Sequence, residues 1–285
     1  MLKLLVFLIK LHENLQRLDN KTNSYLKNSN EKNVHDIRTS VRRFNASFLT
    51  LPKRYRKGYW LSEYNQLANQ FFKVNSEIRD IDIIRGKLKE YPETIQKNNA
   101  IDLLKNERQS KLEGARTFAL TLKNVNSNKI LDKINITGKE VQKRHNKILI
   151  ILINKIETNF LIVITNPLKL EELHALRKDC KKLRYLLEIL GKEDNNAISM
   201  VKTLQNIQDI LGSIRDYDVT IEYLKKLEPS KEIQDIINNE IEQRRVKYEE
   251  FLIFARRRLH ISKIPSLLGL NVFIYLNSPY KENII

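Results

Sequence analysis

The segment Leu173 to Leu190, LHALRKDCKKLRYLLEIL, writes two opposed demands on one helix. Leu173, Leu176, Cys180, Leu183, Leu187 and Leu190 succeed one another in steps of three and four, the spacing that aligns side chains into one buried stripe. At about 100° per residue, His174, Arg177, Lys178, Lys181, Arg184 and Tyr185 fall on the other side, with Glu188 the one acid among them. An ordinary solvated face mixes Glu and Lys, because like charges at i,i+4 cost about 0.2–0.5 kcal/mol per pair. The pattern therefore calls for an anionic partner.

The same pattern occurs earlier. In Val34 to Leu51, VHDIRTSVRRFNASFLTL, the apolar residues Val34, Ile37, Val41, Phe44, Phe48 and Leu51 repeat the spacing. His35, Arg38, Arg42 and Arg43 stand 139 residues ahead of His174, Arg177, Lys181 and Lys182. A second pair follows at an offset of 136, Ile78-Arg79-Asp80-Ile81-Asp82 and Ile214-Arg215-Asp216-Tyr217-Asp218. Two motifs in one order at nearly one offset predict a duplicated unit, residues 1–124 and 139–262, joined by a linker over 125–138 and followed by a tail over 263–285.

The HxxR motifs, the run KKLRYLLE, the segment LQNIQDILGSIRDYD and the duplication resemble the CHAD family, the conserved histidine α-helical domain. The resemblance covers roughly residues 1–262 and is fuller in the second half, since Asn45-Ala46 stands where Arg184-Tyr185 stands later. It implies an all-α fold of two pseudo-symmetric helical bundles, about four helices each, that binds inorganic polyphosphate without catalysis. The candidate polyphosphate-binding residues are His35, Arg38, Arg42, Arg43, Arg79, Arg108 and Arg116 in the first half. In the second they are His174, Arg177, Lys178, Lys181, Lys182, Arg184, Tyr185, Lys202, Gln205 and Arg244. No catalytic residue, metal ligand set or cofactor is expected.

Composition agrees with long helices and an anionic partner. Gly 7 and Pro 6 in 285 residues are about 5%, against an average near 12%, so few turns are encoded. The net charge of +17 suits polyphosphate, nucleic acid or an acidic membrane surface alike. A nucleic-acid-binding helical protein is the first alternative; it predicts exposed aromatic platforms or a groove-reading motif, and neither is visible. A metal-dependent phosphohydrolase is the second, built on His35-Asp36 with His12 and Asp80. The later copy has His174-Ala175 instead, and no ExExK strand motif of the triphosphate tunnel enzymes often fused to CHAD domains is present. Asp80, Asp82, Asp216 and Asp218 read as carboxylates that orient the ridge arginines, or as simple polar positions on a helix face.

The single Cys180 allows no disulfide within the chain, which predicts a reduced, cytoplasmic setting. Storage, regulation and association with polyphosphate granules stay open as uses of the binding. Lys3 and Lys10 interrupt the apolar stretch Leu4 to Leu11, which lacks a small-residue cleavage site. The run Ile148 to Ile153 is far shorter than the roughly 20 residues of a membrane span, so no membrane insertion is expected.

Helices are expected over 2–27, from an Asn33 cap to Pro52, and through Leu67 to Leu88. Others should cover Ile101 to Leu122, Lys139 to Asn166, the Leu173 ridge closed by Gly191, Val201 to Leu227 and Lys231 to His260. Lys53 to Lys57 reads as a basic loop that either faces solvent or extends the anion track. Gly212 reads as the site of a close helix approach, and the tail as packing on the bundle, with a partner site as its alternative. The two ridges should face one another across one basic groove or pore.

Overall fold

The structure, a computed structural model, describes residues 2–125, 134–190 and 195–261. Among these residues there is no strand, and nine helices succeed one another. They are α1 (Leu4–Lys27), α2 (Glu31–Thr50), the one-turn α3 (Lys53–Arg56), α4 (Tyr59–Leu88), α5 (Ile95–Asn124), α6 (Gly138–Thr165), α7 (Leu170–Glu188), α8 (Asn195–Leu224) and α9 (Lys231–Ile261). The fold is all-α.

In the first half α1, α2, α4 and α5 pack in a closed ring of neighbours. In the second, α6, α7, α8 and α9 pack in chain order. The ends of α6 and α9 meet where Phe160 and Phe251 stack edge to face, 6.3 Å between centroids, and where the Tyr248 hydroxyl donates to the Val163 carbonyl. The halves join chiefly along two lines, α2 against α7 and α4 against α8. Both ridge helices thus lie at the centre of the molecule. Their stripes, Val34, Ile37, Val41 and Phe44 on one and Leu173, Leu176, Cys180 and Leu183 on the other, belong to one continuous buried core. A second cluster, with Ile84, Leu88, Leu104, Leu224 and Ile233, holds α4, α5, α8 and α9 together.

Local chemistry fixes the helix ends. Asn30, not Asn33, caps α2, its side chain accepting from the Asn33 amide at 2.9 Å. Asn33 lies inside the first turn and its side-chain amide instead donates to the Asn28 carbonyl at 2.6 Å. The α5 helix begins at Ile95, earlier than the apolar spacing implies, because the Thr94 hydroxyl accepts from the Lys97 amide at 3.2 Å. Thr137 and Glu140 form a capping box at the start of α6. Thr94→Ala should lower stability by about 1 kcal/mol, read as a reduced urea midpoint with unchanged slope.

Two expectations need correction. A Cβ at Gly212 would meet nothing within 4 Å, so no close helix approach explains that glycine. Lys53 to Arg56 is a helical turn capped by Lys57, none of these residues lines the groove between α2 and α7, and Arg54 is engaged by Glu140 and the Asn135 carbonyl. The α6 helix is long and apolar enough to cross a membrane; here Val141, Ile148, Leu152, Ile156, Phe160 and Val163 are buried in the core. Gly191, most of the 125–138 linker and the tail from 262 lie outside the described residues.

Candidate functional site

Packing α2 on α7 turns two cationic faces toward one groove of about 540 Å³. Arg38 and Arg42 come from α2, Arg177, Lys178, Lys181 and Lys182 from α7, and Arg215 from α8. Against these seven basic side chains stands one lining carboxylate, Asp80. His174 and Tyr185 complete that side of the site. Arginine forks suit bidentate contact with phosphate oxygens, and lysines supply point charges at the rim.

The groove arginines differ in how they are held. Arg38 donates through Nε to Ser76 Oγ at 3.3 Å, and its guanidinium lies 5.9 Å from the Phe72 ring centroid. Arg42 lies over the same ring at 5.1 Å. Arg177 Nε is buried with no hydrogen-bond partner among the described residues, an unsatisfied donor inside the site. Such a donor is costly until an acceptor meets it.

Electrostatics follow from crowding in partial burial. Burial, then Arg42, pushes Arg38 down to about 9, where it is still charged at neutral pH. Arg42 and Arg177 shift downward as well, again chiefly through burial. Burial together with Arg177, Arg42, Arg38 and Arg184 pushes Lys181 down to about 6. It is therefore mostly neutral at pH 7 while no anion is present. Burial raises Asp80 and Asp216, and the arginines around them act in the opposite direction.

His174 Nε2 sits between two partners, Arg215 Nη1 at 3.3 Å and Asp218 Oδ2 at 3.5 Å. A neutral ring can accept from Arg215, whereas a protonated ring donates to Asp218 and frees the guanidinium. Burial lowers the His174 pKa, and Arg215 adds to the effect. His35 also shifts downward through partial burial and then Arg79 and Arg38, although it does not line the groove. The direction matches what converging cations dictate; burial is the larger cause.

A family model described as the CHAD domain matches residues 10–225, about three quarters of the chain. The chain belongs to the CHAD family. The crystal structure of the CHAD domain from the plant Ricinus communis is similar at a TM-score of 0.62 and 14% identity, covering 85% of this chain and 86% of that one. At that identity the likeness carries the fold alone. Comparison with curated proteins finds no match. The CHAD match spans both ridges and every cation of the groove, and leaves α9 beyond its end.

Not every candidate residue of this CHAD domain reaches the groove. Arg43 turns away, donating through Nε to Glu188 at 3.1 Å, and lines a separate basin of about 480 Å³ with Lys10, Arg17 and Lys21. Arg184 lies 3.5 Å from the other Glu188 oxygen and 4.7 Å from the Tyr185 ring centroid. Glu188 thereby holds one arginine from each ridge.

Arg108 donates to Asp82 at 2.7 Å and Arg244 to Asp218 at 2.5 Å, two pairs at the 136-residue offset. These aspartates thus engage arginines of α5 and α9, not those of the ridges. Arg244 acts on the site at one remove, by holding the carboxylate beneath His174. Arg116 donates to the Leu26 carbonyl at 3.2 Å, and Lys202 and Gln205 are exposed on α8; none of the three lines the groove. Arg79 stands behind the lining, close enough to lower His35 and to counter the rise of Asp216.

Arg215 is the groove cation that reading the two ridges alone misses. It is the counterpart of Arg79 at the same offset, so the signal for it lies in the repeat. Asp36, the acid a hydrolase would need beside His35, is engaged by Lys21 Nζ at 2.7 Å. Among the described residues no three His, Cys, Asp or Glu side chains group as metal ligands.

Binding should take up protons. An anion in the groove raises the pKa of Lys181, His174 and His35 from their lowered free values, so affinity rises as pH falls from 8 toward 6. We expect a gain of roughly tenfold or more, since one pKa unit is tenfold. Calorimetry in buffers of different ionisation enthalpy should show net proton uptake at pH 7, and Lys181→Met should reduce it.

Proposed function

We propose that this CHAD domain binds inorganic polyphosphate along the groove between α2 and α7, as a binding module that does not hydrolyse it. The observation that carries the reading is the charge balance of one cavity, seven Arg or Lys side chains against one carboxylate, with both ridge helices contributing. Three helical turns at 1.5 Å per residue distribute donors over about 15 Å, the form of a linear anion rather than a single phosphate. The repetition of the Arg–Asp pairs, Arg108 with Asp82 and Arg244 with Asp218, supports descent of the two halves from one duplicated unit.

In this reading Arg38, Arg42, Arg177 and Arg215 grip phosphate oxygens, Lys178 and Lys182 gather the chain at the rim, and Lys181 becomes charged as the chain arrives. Titrations with long polyphosphate, short polyphosphate and duplex DNA at one salt concentration test it. Polyphosphate should win by at least tenfold; equal affinities would reduce the site to non-specific charge. Phosphate release by the purified protein, abolished by a chelator, would favour a hydrolase.

Glu188 offers an independent check. Glu188→Gln removes the carboxylate that engages Arg43 and Arg184, and should raise polyphosphate affinity about three- to tenfold, the value of one modest charge-assisted contact. An unchanged affinity would mean that neither arginine reaches the ligand.

A further inference from the structure

The two ends of the groove are chemically unlike. One end is the cationic track. At the other the lining is Asn45, Asn65, Asn69, Phe48 and Leu49, with Phe72 at the boundary beneath Arg38 and Arg42. An inorganic phosphate chain offers acceptors only, so amide carbonyls and apolar carbon find nothing to pair with on it.

Aligning the two ridge motifs shows how this end differs from the other. At the offset of 139, Ala46 corresponds to Tyr185 and Asn45 to Arg184. Tyr185 is 4% exposed and fills its end of the site, its ring flanked by Arg43 and Arg184. Ala46 has no such bulk, and the groove continues past it. Along the widened wall Asn45 Nδ2 donates to Asn69 Oδ1 at 2.8 Å, while Asn45 Oδ1 and Asn65 Oδ1 have no partner among the described residues. Donors and acceptors beside an aromatic ring suit a planar, uncharged group that carries both. The whole groove, about 540 Å³, lies within the roughly 300–1,000 Å³ of small-molecule sites.

We propose that this amide-lined lobe receives the base of a nucleoside polyphosphate, whose phosphates occupy the same cations as the inorganic chain. The proposal rests on the reading of the groove as a phosphate site and adds a second class of ligand to it. Phe72, already flanked by Arg38 and Arg42, forms the apolar wall for the base, and the three asparagines contact its edge. Nucleotide and polyphosphate then compete for one track.

Calorimetry without divalent cations, comparing adenosine triphosphate with inorganic tripolyphosphate, tests this directly. The nucleotide should bind at least tenfold more tightly. Ala46→Tyr, which restores the bulk of the other half, should remove that excess and leave tripolyphosphate affinity unchanged. Asn69→Ala, at an exposed position, should weaken the nucleotide alone by several-fold and serves if the tyrosine variant does not fold. Nucleotide binding no tighter than tripolyphosphate would overturn the lobe while the phosphate site stands. An equal loss of both ligands in the folded Ala46→Tyr protein would also overturn it. Binding of neither ligand would overturn the phosphate site and the lobe together.

Discussion

Reversing Arg42, Lys178 and Lys182 to Glu should weaken polyphosphate binding by at least about 100-fold and leave the protein folded. Each is a groove-lining cation, and Lys178 and Lys182 are exposed, so substitution at those two positions buries no new charge. A hydrogen bond to a charged group contributes about 1.5–3 kcal/mol, and screening in a solvent-open groove brings each down toward tenfold or less. Three missing attractions together with three new repulsions still exceed two decades. The matched control reverses Lys225, Lys226 and Lys231, which are exposed on other surfaces and line no part of the groove. Both variants change the net charge equally, from +17 to +11. The control should weaken binding only a few-fold. Equal losses would mean that affinity follows net charge and that the ridges confer no locality.

Salt should have a comparably large effect. A chain that neutralises six cations, with Lys181 counted as neutral, releases counterions at about 0.7 per contact by analogy with single-stranded nucleic acid. Affinity should then fall by roughly 10²–10³ between 50 and 200 mM salt. The triple groove variant should flatten the logarithmic slope by about 2, and the control variant should leave it nearly unchanged. A wild-type slope near zero would contradict a site built from guanidinium and ammonium groups. At pH 6, where Lys181 carries about half a charge before the anion arrives, the slope should steepen.

Much of the fold is legible in the sequence because helices announce themselves by period. The steps from Val34 to Leu51 and from Leu173 to Leu190 mark both ridge helices, and the structure buries Val34, Ile37, Phe44, Leu176 and Leu183 without residual exposure. Scarce glycine and proline point to length, and the 30-residue helices α4, α5 and α8 follow. What a helical wheel cannot assign is the partner on each sector. Arg42 and Arg43 are adjacent in sequence, yet one enters the groove and the other meets Glu188 across the helix pair.

The same limit explains Arg108 and Arg244. Their role depends on Asp82 and Asp218, each 26 residues away in sequence, and no local pattern pairs them. His145 is a sharper case. Its neighbours Lys143 and Arg144 suggest a basic surface, but the ring is fully buried with both nitrogens unpartnered among the described residues, and burial pushes its pKa down to about 4. In the sequence Asn45-Ala46 signifies only the absence of an Arg-Tyr pair. In three dimensions the smaller side chain leaves space, and space in a charged groove is a determinant of what binds there.

The central claim is that the two ridges serve one ligand rather than two. The stoichiometry of a short oligophosphate, measured by calorimetry for the wild type, Arg42→Glu and Arg177→Gln, tests it most directly. One ligand per chain, with each single variant weakening that same event, is the result predicted by a shared groove. Two ligands per chain, one removed by the α2 substitution and the other by the α7 substitution, would contradict it.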